Sequence, residues 1–257
     1  MKLKTDAPER IVTLALDLGE QIQRYGGEIY RVEDTIQRIC TSYGFVRADV
    51  FSITSYIALS ARTEDGRVFT ETRRLYTWGT DLDRLEQLCN LSRYICTNTP
   101  SVEEFASLLS TATCRISHPQ RQIALGGLLT AGGFCMAYGG TLWDAFASMI
   151  AGMIILLMNR YVKKPDTNRI VYTLACSIIA GIGAILIVYM GIGHNIDKVI
   201  IGDIMLLIPG MVMVNALRDM LVGDLMAGLM RFIEACLTTI AIACGYAFAL
   251  FLLEGIL

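Results

Sequence analysis

Asp203, Arg218, Asp219, Asp224, Arg231 and Glu234 stand in or beside long apolar stretches of the chain, where an ionisable group is costly and by default functional. An arginine in such a place suits a small carboxylate ligand, and a carboxylate suits an ammonium group or a proton. Arg231 and Glu234 are three residues apart and can pair along one helix face. Asn215 adds a polar amide one turn before Asp219. Within the run LLIPGMVMVNALRDMLVGDL (206–225), Pro209 and Gly210 interrupt what is otherwise a membrane-grade helix. A proline there removes one amide donor and frees the Met205 carbonyl, and broken helices of this kind aim backbone dipoles at a ligand. A plain structural kink is the competing reading. Arg218, Asp219 and Asp224 fall at the end of the segment, where charge is less anomalous, so the Pro209–Gly210 break and the deeper Arg231–Glu234 pair carry most weight.

The elements that hold these groups divide the chain in two. Of its 46 Asp, Glu, Lys and Arg residues, 31 precede residue 122 in a chain of 257, so a charged half is followed by an apolar one. The mean hydropathy of +0.50 is the average of the two. Residues 1–118 read as a cytoplasmic α+β domain and 119–257 as a membrane domain. About 20 apolar residues cross a bilayer core, and five segments qualify: 122–140, 143–162, 170–190, 199–217 and 227–252. Thr141 and Asp144 have capping-box spacing at the start of the second, and Trp143 suits an interfacial belt. Glycines in GGLLTAGG and GIGAI fit close helix packing. Arg160, Lys163, Lys164 and Arg169 cluster between the second and third segments, which places that loop and the N-terminus in the cytoplasm and the C-terminus outside.

In the charged half, 9–25 and 29–43 have helical periodicity, separated by YGGE. The β-branched and aromatic run 46–63 reads as one long strand, EDG as a turn, and 67–75 as the returning strand of a β-hairpin. Residues 81–97 and 101–113 read as helices. The apolar stripe Val102, Phe105, Leu108, Leu109 and Ala112 is expected to pack on the domain rather than lie on a membrane, because its polar face is acidic. Glu28, Arg31, Glu33 and Asp34 form a second polar cluster, either a ligand site or a solvated helix face with local ion pairs.

Several classes are set aside. A net charge of −2 offers no basic stripe for nucleic acid. Eight scattered cysteines with no C-x-x-C pair suggest neither disulfides nor a metal site. With only His118 and His194, and no G-x-S-x-G, Walker or H-E-x-x-H pattern, no catalytic set, metal or cofactor is expected. The opening residues show no uncharged apolar core of a signal peptide.

The run LLIPGMVMVNALRDMLVGDLMAGLMRFIEA (206–235) resembles the PG…N…RD…GD…G…R…EA signature of the threonine/serine exporter family. YGGEIYRVEDTI (25–36) and the strands with EDGR resemble that family's cytoplasmic domain. The resemblance implies secondary export, across a bacterial inner membrane, of small carboxylate-bearing metabolites: threonine or serine, or a dicarboxylate such as succinate in two-component relatives. It further implies coupling to the proton motive force. Full-length members carry two membrane halves, and this chain matches the first, which implies a small four-to-five-span membrane partner, with homo-oligomers also open. In that frame Arg218 or Arg231 neutralises the substrate carboxylate, and Asp203, Asp219 or Glu234 carries the proton or holds an ammonium. Two rival readings are a membrane-anchored hydrolase acting through the charged half and a membrane regulatory or assembly protein.

Overall fold

The computed structural model describes residues 7–76, 79–114, 119–162 and 167–254. His118, Lys163 and Lys164 lie outside them. The described chain runs α1 (Pro8–Arg24), α2 (Ile29–Ser42), β1 (Arg47–Ile53), β2 (Tyr56–Arg62), β3 (Val68–Arg74), α3 (Leu82–Asn98), α4 (Val102–Cys114), α5 (Gln120–Ala137), α6 (Leu142–Tyr161), α7 (Arg169–Tyr189), α8 (Ile196–Leu207), α9 (Gly210–Val222) and α10 (Leu225–Glu254). It forms two compact units, Met1–Ser117 with Met211–Phe232, and His118–Gly210 with Ile233–Leu257.

In the first unit, β1, β2 and β3 form an antiparallel meander in that order. The single long strand expected over 46–63 is two strands. Ile53 pairs with Tyr56 and the chain reverses through Thr54 and Ser55. That turn contains no Gly, Pro, Asn or Asp, so the β-rich composition runs through it unbroken and hides it. The inner face alternates as strand geometry requires. Ile57, Leu59 and Ala61 of β2 are fully buried, and Phe69 of β3 packs against the same core. Against this face lie Ile11, Ala15, Leu18 and Ile22 of α1 and Val32, Ile36 and Ile39 of α2. Asp17 of α1 holds Arg73 of β3 at 2.9 Å, which fixes the sheet's free edge to the helix. The stripe on α4 does pack on this domain: Val102, Phe105 and Leu109 are buried, and the Tyr43 hydroxyl donates to the Pro100 carbonyl at 2.7 Å.

The second unit is helical. α6 presents Ala147, Ala151 and Ile155, and α7 presents Cys176, Ala180 and Ala184, each at intervals of four, to a shared core. Small residues at that spacing let helix backbones approach without side-chain interference. The outer surfaces are apolar in turn, with Phe146, Val171, Leu186, Ile240 and Phe251 exposed. That surface suits lipid and not water. By length and apolarity α6, α7 and α10 can each cross a membrane, and the interrupted pair α8 and α9 could count as a fourth span. α5, which begins Gln-Arg-Gln and carries four glycines, is helical but falls short of that measure.

The capping box expected at Thr141 and Asp144 is present. Asp144 also does more than cap. It accepts from the His194 amide at 2.6 Å, the Asn195 amide at 2.9 Å and the Asn195 side chain at 3.1 Å. One fully buried carboxylate thus ties the loop before α8 to the start of α6.

Candidate functional site

The signature around Pro209 ends one helix and starts the next. α8 stops at Leu207, Ile208 takes an extended conformation, and α9 begins at Gly210. Beyond it, Gly223 adopts a φ of 114°, a left-handed geometry suited to glycine, and Asp224 donates its amide to the Asp219 carbonyl. The chain then returns as α10. Gly228 lets the two helices close up, since a Cβ there would stand 2.5 Å from Met220 Cγ and 2.8 Å from the Ala216 carbonyl.

This hairpin places its polar groups on the YGGE element. Asp219 is 1% exposed. Its Oδ2 accepts from Arg231 Nη1 at 2.8 Å, and its Oδ1 accepts from the Ile29 amide at 3.2 Å. Ile29 is the first residue of α2, so Asp219 satisfies an orphan amide at a helix start, where the dipole favours negative charge. Arg231 Nη2 donates to the Gly27 carbonyl, 204 residues away, at 2.9 Å. Asn215 donates to the Gly26 carbonyl at 3.0 Å. Arg218 pairs with Glu28 at 2.6 Å, and Arg31 sits 3.6 Å from the other oxygen of Glu28. Gly26, at φ 94°, and Gly27, whose Cβ would strike Ile22, give the loop the shape that aims its carbonyls at these donors. The two motifs singled out separately in the sequence are therefore one bonded cluster.

Both members of the expected Arg231–Glu234 pair also have distant partners. Arg231 bonds Asp219, and Glu234 meets Arg169, the first residue of α7, at 3.3 Å. Helix length explains this. α10 has 30 residues, about 45 Å at 1.5 Å per residue, against roughly 30 Å of hydrocarbon. Its first turns need not be in lipid at all. Asp219, placed in the sequence among the less anomalous charges, is instead the most enclosed of the cluster.

Glu33, expected with Glu28 and Arg31 on one face, turns to β1, where it accepts from the Ser52 amide at 2.6 Å and the Ser52 hydroxyl at 3.1 Å. Burial lifts its carboxyl above the ordinary range, opposed by the two Ser52 bonds, with the Asp224 charge adding to the rise. Glu28 is no solvated side chain either: it is 15% exposed between two arginines. Asp203 belongs to the second unit, where it is fully buried beside Ser148 at 3.2 Å. Sequence reasoning missed the loop carbonyls of Gly26 and Gly27, Gly228, and Ser148. For the last a signal existed, since Ser148 lies one turn after Asp144 on the same face of α6.

These features define a multi-pass membrane protein with a small α+β domain clasped by its own polar helical hairpin. The chain belongs to the ThrE family, described as "Putative threonine/serine exporter", which it matches over residues 13–253. It is 24% identical over 257 residues to the "Probable succinate transporter subunit YjjP" of Escherichia coli K12, covering 96% of each chain. It is 23% identical over 251 residues to the protein of the same name in Klebsiella aerogenes, covering 94% of each. No solved structure matches it.

Proposed function

We propose that this chain is the larger subunit of a secondary exporter of small carboxylates, threonine or serine or a dicarboxylate such as succinate. It works in a bacterial inner membrane with a small four-to-five-span partner and draws on the proton motive force. The observation that carries the proposal is coverage: two relatives named as transporter subunits align along almost the whole of both chains. The membrane half crosses five times, with α5 and the α8–α9 pair each counted as one span, so that the charged domain is cytoplasmic and the C-terminus outside. α5 completes the bundle by packing on α6 and α8, where neighbouring helices offset its glycines and polar start.

Within this reading the two arginines take different tasks. Arg231 is 9% exposed and its guanidinium is committed to Asp219 and the Gly27 carbonyl, so it is an anchor. Arg218 keeps 58% of its side chain exposed beside Glu28 and is the better group to meet a substrate carboxylate at the cytoplasmic mouth. Neither the family's description nor the relatives' names points to the hydrolase reading.

The test is transport. Proteoliposomes holding this chain and a short membrane protein of the proposed partner kind are loaded with labelled succinate or threonine, and a pH gradient is imposed. We expect gradient-dependent efflux of one of them, at least tenfold slower with Arg218→Ala. Wild-type vesicles that move neither solute, with both subunits present and folded, would overturn the reading.

A further inference from the structure

One buried carboxylate of the second unit is left half satisfied by its surroundings. Asp203 is the eighth residue of α8 and has no exposure. Its Oδ1 accepts from Ser148 Oγ on α6 at 3.2 Å. Its Oδ2 has no hydrogen-bond partner among the described residues. Neither has the hydroxyl of Tyr246 on α10, a side chain only 3% exposed. Tyr246 belongs to the same buried core as Val199 and Ile200, the residues of α8 one turn before Asp203. The buried interior formed with α6, α8 and α10 thus holds an acid and two hydroxyls.

The closeness is built in. A Cβ on Gly202 would run into Ser148 Oγ and the Ala131 carbonyl, so glycine beside Asp203 is what lets α8 lie against α5 and α6. A Cβ on Gly152 would come 3.6 Å from Asp203 Oδ1. The other titratable groups on the packed helices are Cys135 of α5, whose Cβ would stand 3.1 Å from a Cβ on Gly202, and Cys176 of α7, in the same core as Tyr246. No Lys or Arg among the described residues forms an ion pair with Asp203. An ionised carboxylate without a counter-charge in such a place costs several kcal/mol, and binding one proton removes that cost. Protonation also turns the unpartnered Oδ2 from an unmet acceptor into a hydroxyl that can donate.

We propose that Asp203, with Ser148 and Tyr246, is the proton-binding site of this chain. The Asp203 carboxylate takes one proton from the water on the side where α6 and α8 begin. It is then neutral within the bundle, and it gives the proton up to water on the opposite side. This rests on the reading of the chain as a proton-linked exporter subunit and deepens it. α8 begins at the loop that Asp144 ties to the start of α6, and Asp203 lies about 12 Å further along that helix. In the proposed orientation that end faces outward, where the proton motive force supplies protons.

The purified full-length chain in lipid would be titrated while the carboxyl C=O stretch is followed by infrared difference spectroscopy. We expect a protonated-carboxyl band that titrates, is absent in Asp203→Asn, and shifts its midpoint by about one pH unit, tenfold in proton affinity, in Tyr246→Phe. Ser148→Ala should shift it in the same experiment by less. A band unchanged in Asp203→Asn would overturn the proposal, as would a midpoint that moves when sodium chloride replaces choline chloride, which would mark a metal-cation site. If Asp203→Asn does not fold, Tyr246→Phe decides: an unmoved midpoint is the negative result. Vesicles with both subunits separate the two readings. Asp203→Asn should abolish the response of solute efflux to a pH gradient. A wild-type chain that transports nothing yet titrates at Asp203 would sink the exporter reading alone.

Discussion

Asp219 and Asp203 are both carboxylates in nearly complete burial, and their surroundings treat them in opposite ways. Asp219 has a guanidinium on one oxygen and a helix-start amide on the other. Asp203 has one hydroxyl and an oxygen with no partner among the described residues. A fully bonded buried charge is a strut, because every alternative state loses bonds. A half-bonded one gives up no bond at its free oxygen when it binds a proton, and that is what a proton site needs. Burial alone therefore says little about role, and the inventory of partners says more.

The largest expected effect tests the strut. Arg231→Ala leaves Asp219 charged and enclosed, and breaking a buried pair in this way costs about 3–5 kcal/mol. Thermal unfolding of the purified chain should show it, and Asp219→Ala with Arg231→Ala should cost less than the two singles added. Additive losses would mean that the pair is not a unit. Next, Gly228→Ala places a methyl against Met220 and the Ala216 carbonyl and should cost about 1–3 kcal/mol by the same measurement. Asn215→Ala gives up one bond to the Gly26 carbonyl, about 1 kcal/mol. Arg218→Ala should leave unfolding within about 1 kcal/mol of wild type, since its pair with Glu28 is open to solvent on the arginine side. That small value against a large loss of transport is what separates a substrate contact from an anchor.

The weakest effect is a pH dependence. The folded protein holds Glu33 above its ordinary range, so between the ordinary value and the raised one the folded state binds more protons than the unfolded state. Stability from this group is present at acid pH and falls as pH rises through that window. Glu33→Gln, which keeps an acceptor for Ser52, should flatten that fall in unfolding curves taken at several pH values. A wild-type profile that instead rises across the window faster than the variant's would reverse the sign.

Much of the fold was legible in one dimension. Helices α1 to α7 and α10 lie within a few residues of where periodicity or apolar length puts them, whereas the single segment expected over 199–217 is the two helices α8 and α9. The Thr141–Asp144 cap was readable too, as both partners sit within one turn. The Thr54–Ser55 reversal was not, because no residue there has a backbone preference that announces a turn. The bond of Arg231 to a carbonyl 204 residues away was not legible either, because local spacing offered only Glu234.

By itself the sequence determined the kind of protein: a charged half, an apolar half rich in small residues, an interrupted segment at Pro209, and a family signature whose membership the whole-length match bears out. Those properties are carried by composition and short-range order. Tertiary structure alone decided which charges are held and which are left wanting, because a hydrogen bond depends on distance in space. It brought RD and YGGE together as one clasp, and it set Asp203 beside Ser148 with one oxygen left without a partner, which no spacing in the sequence foretells.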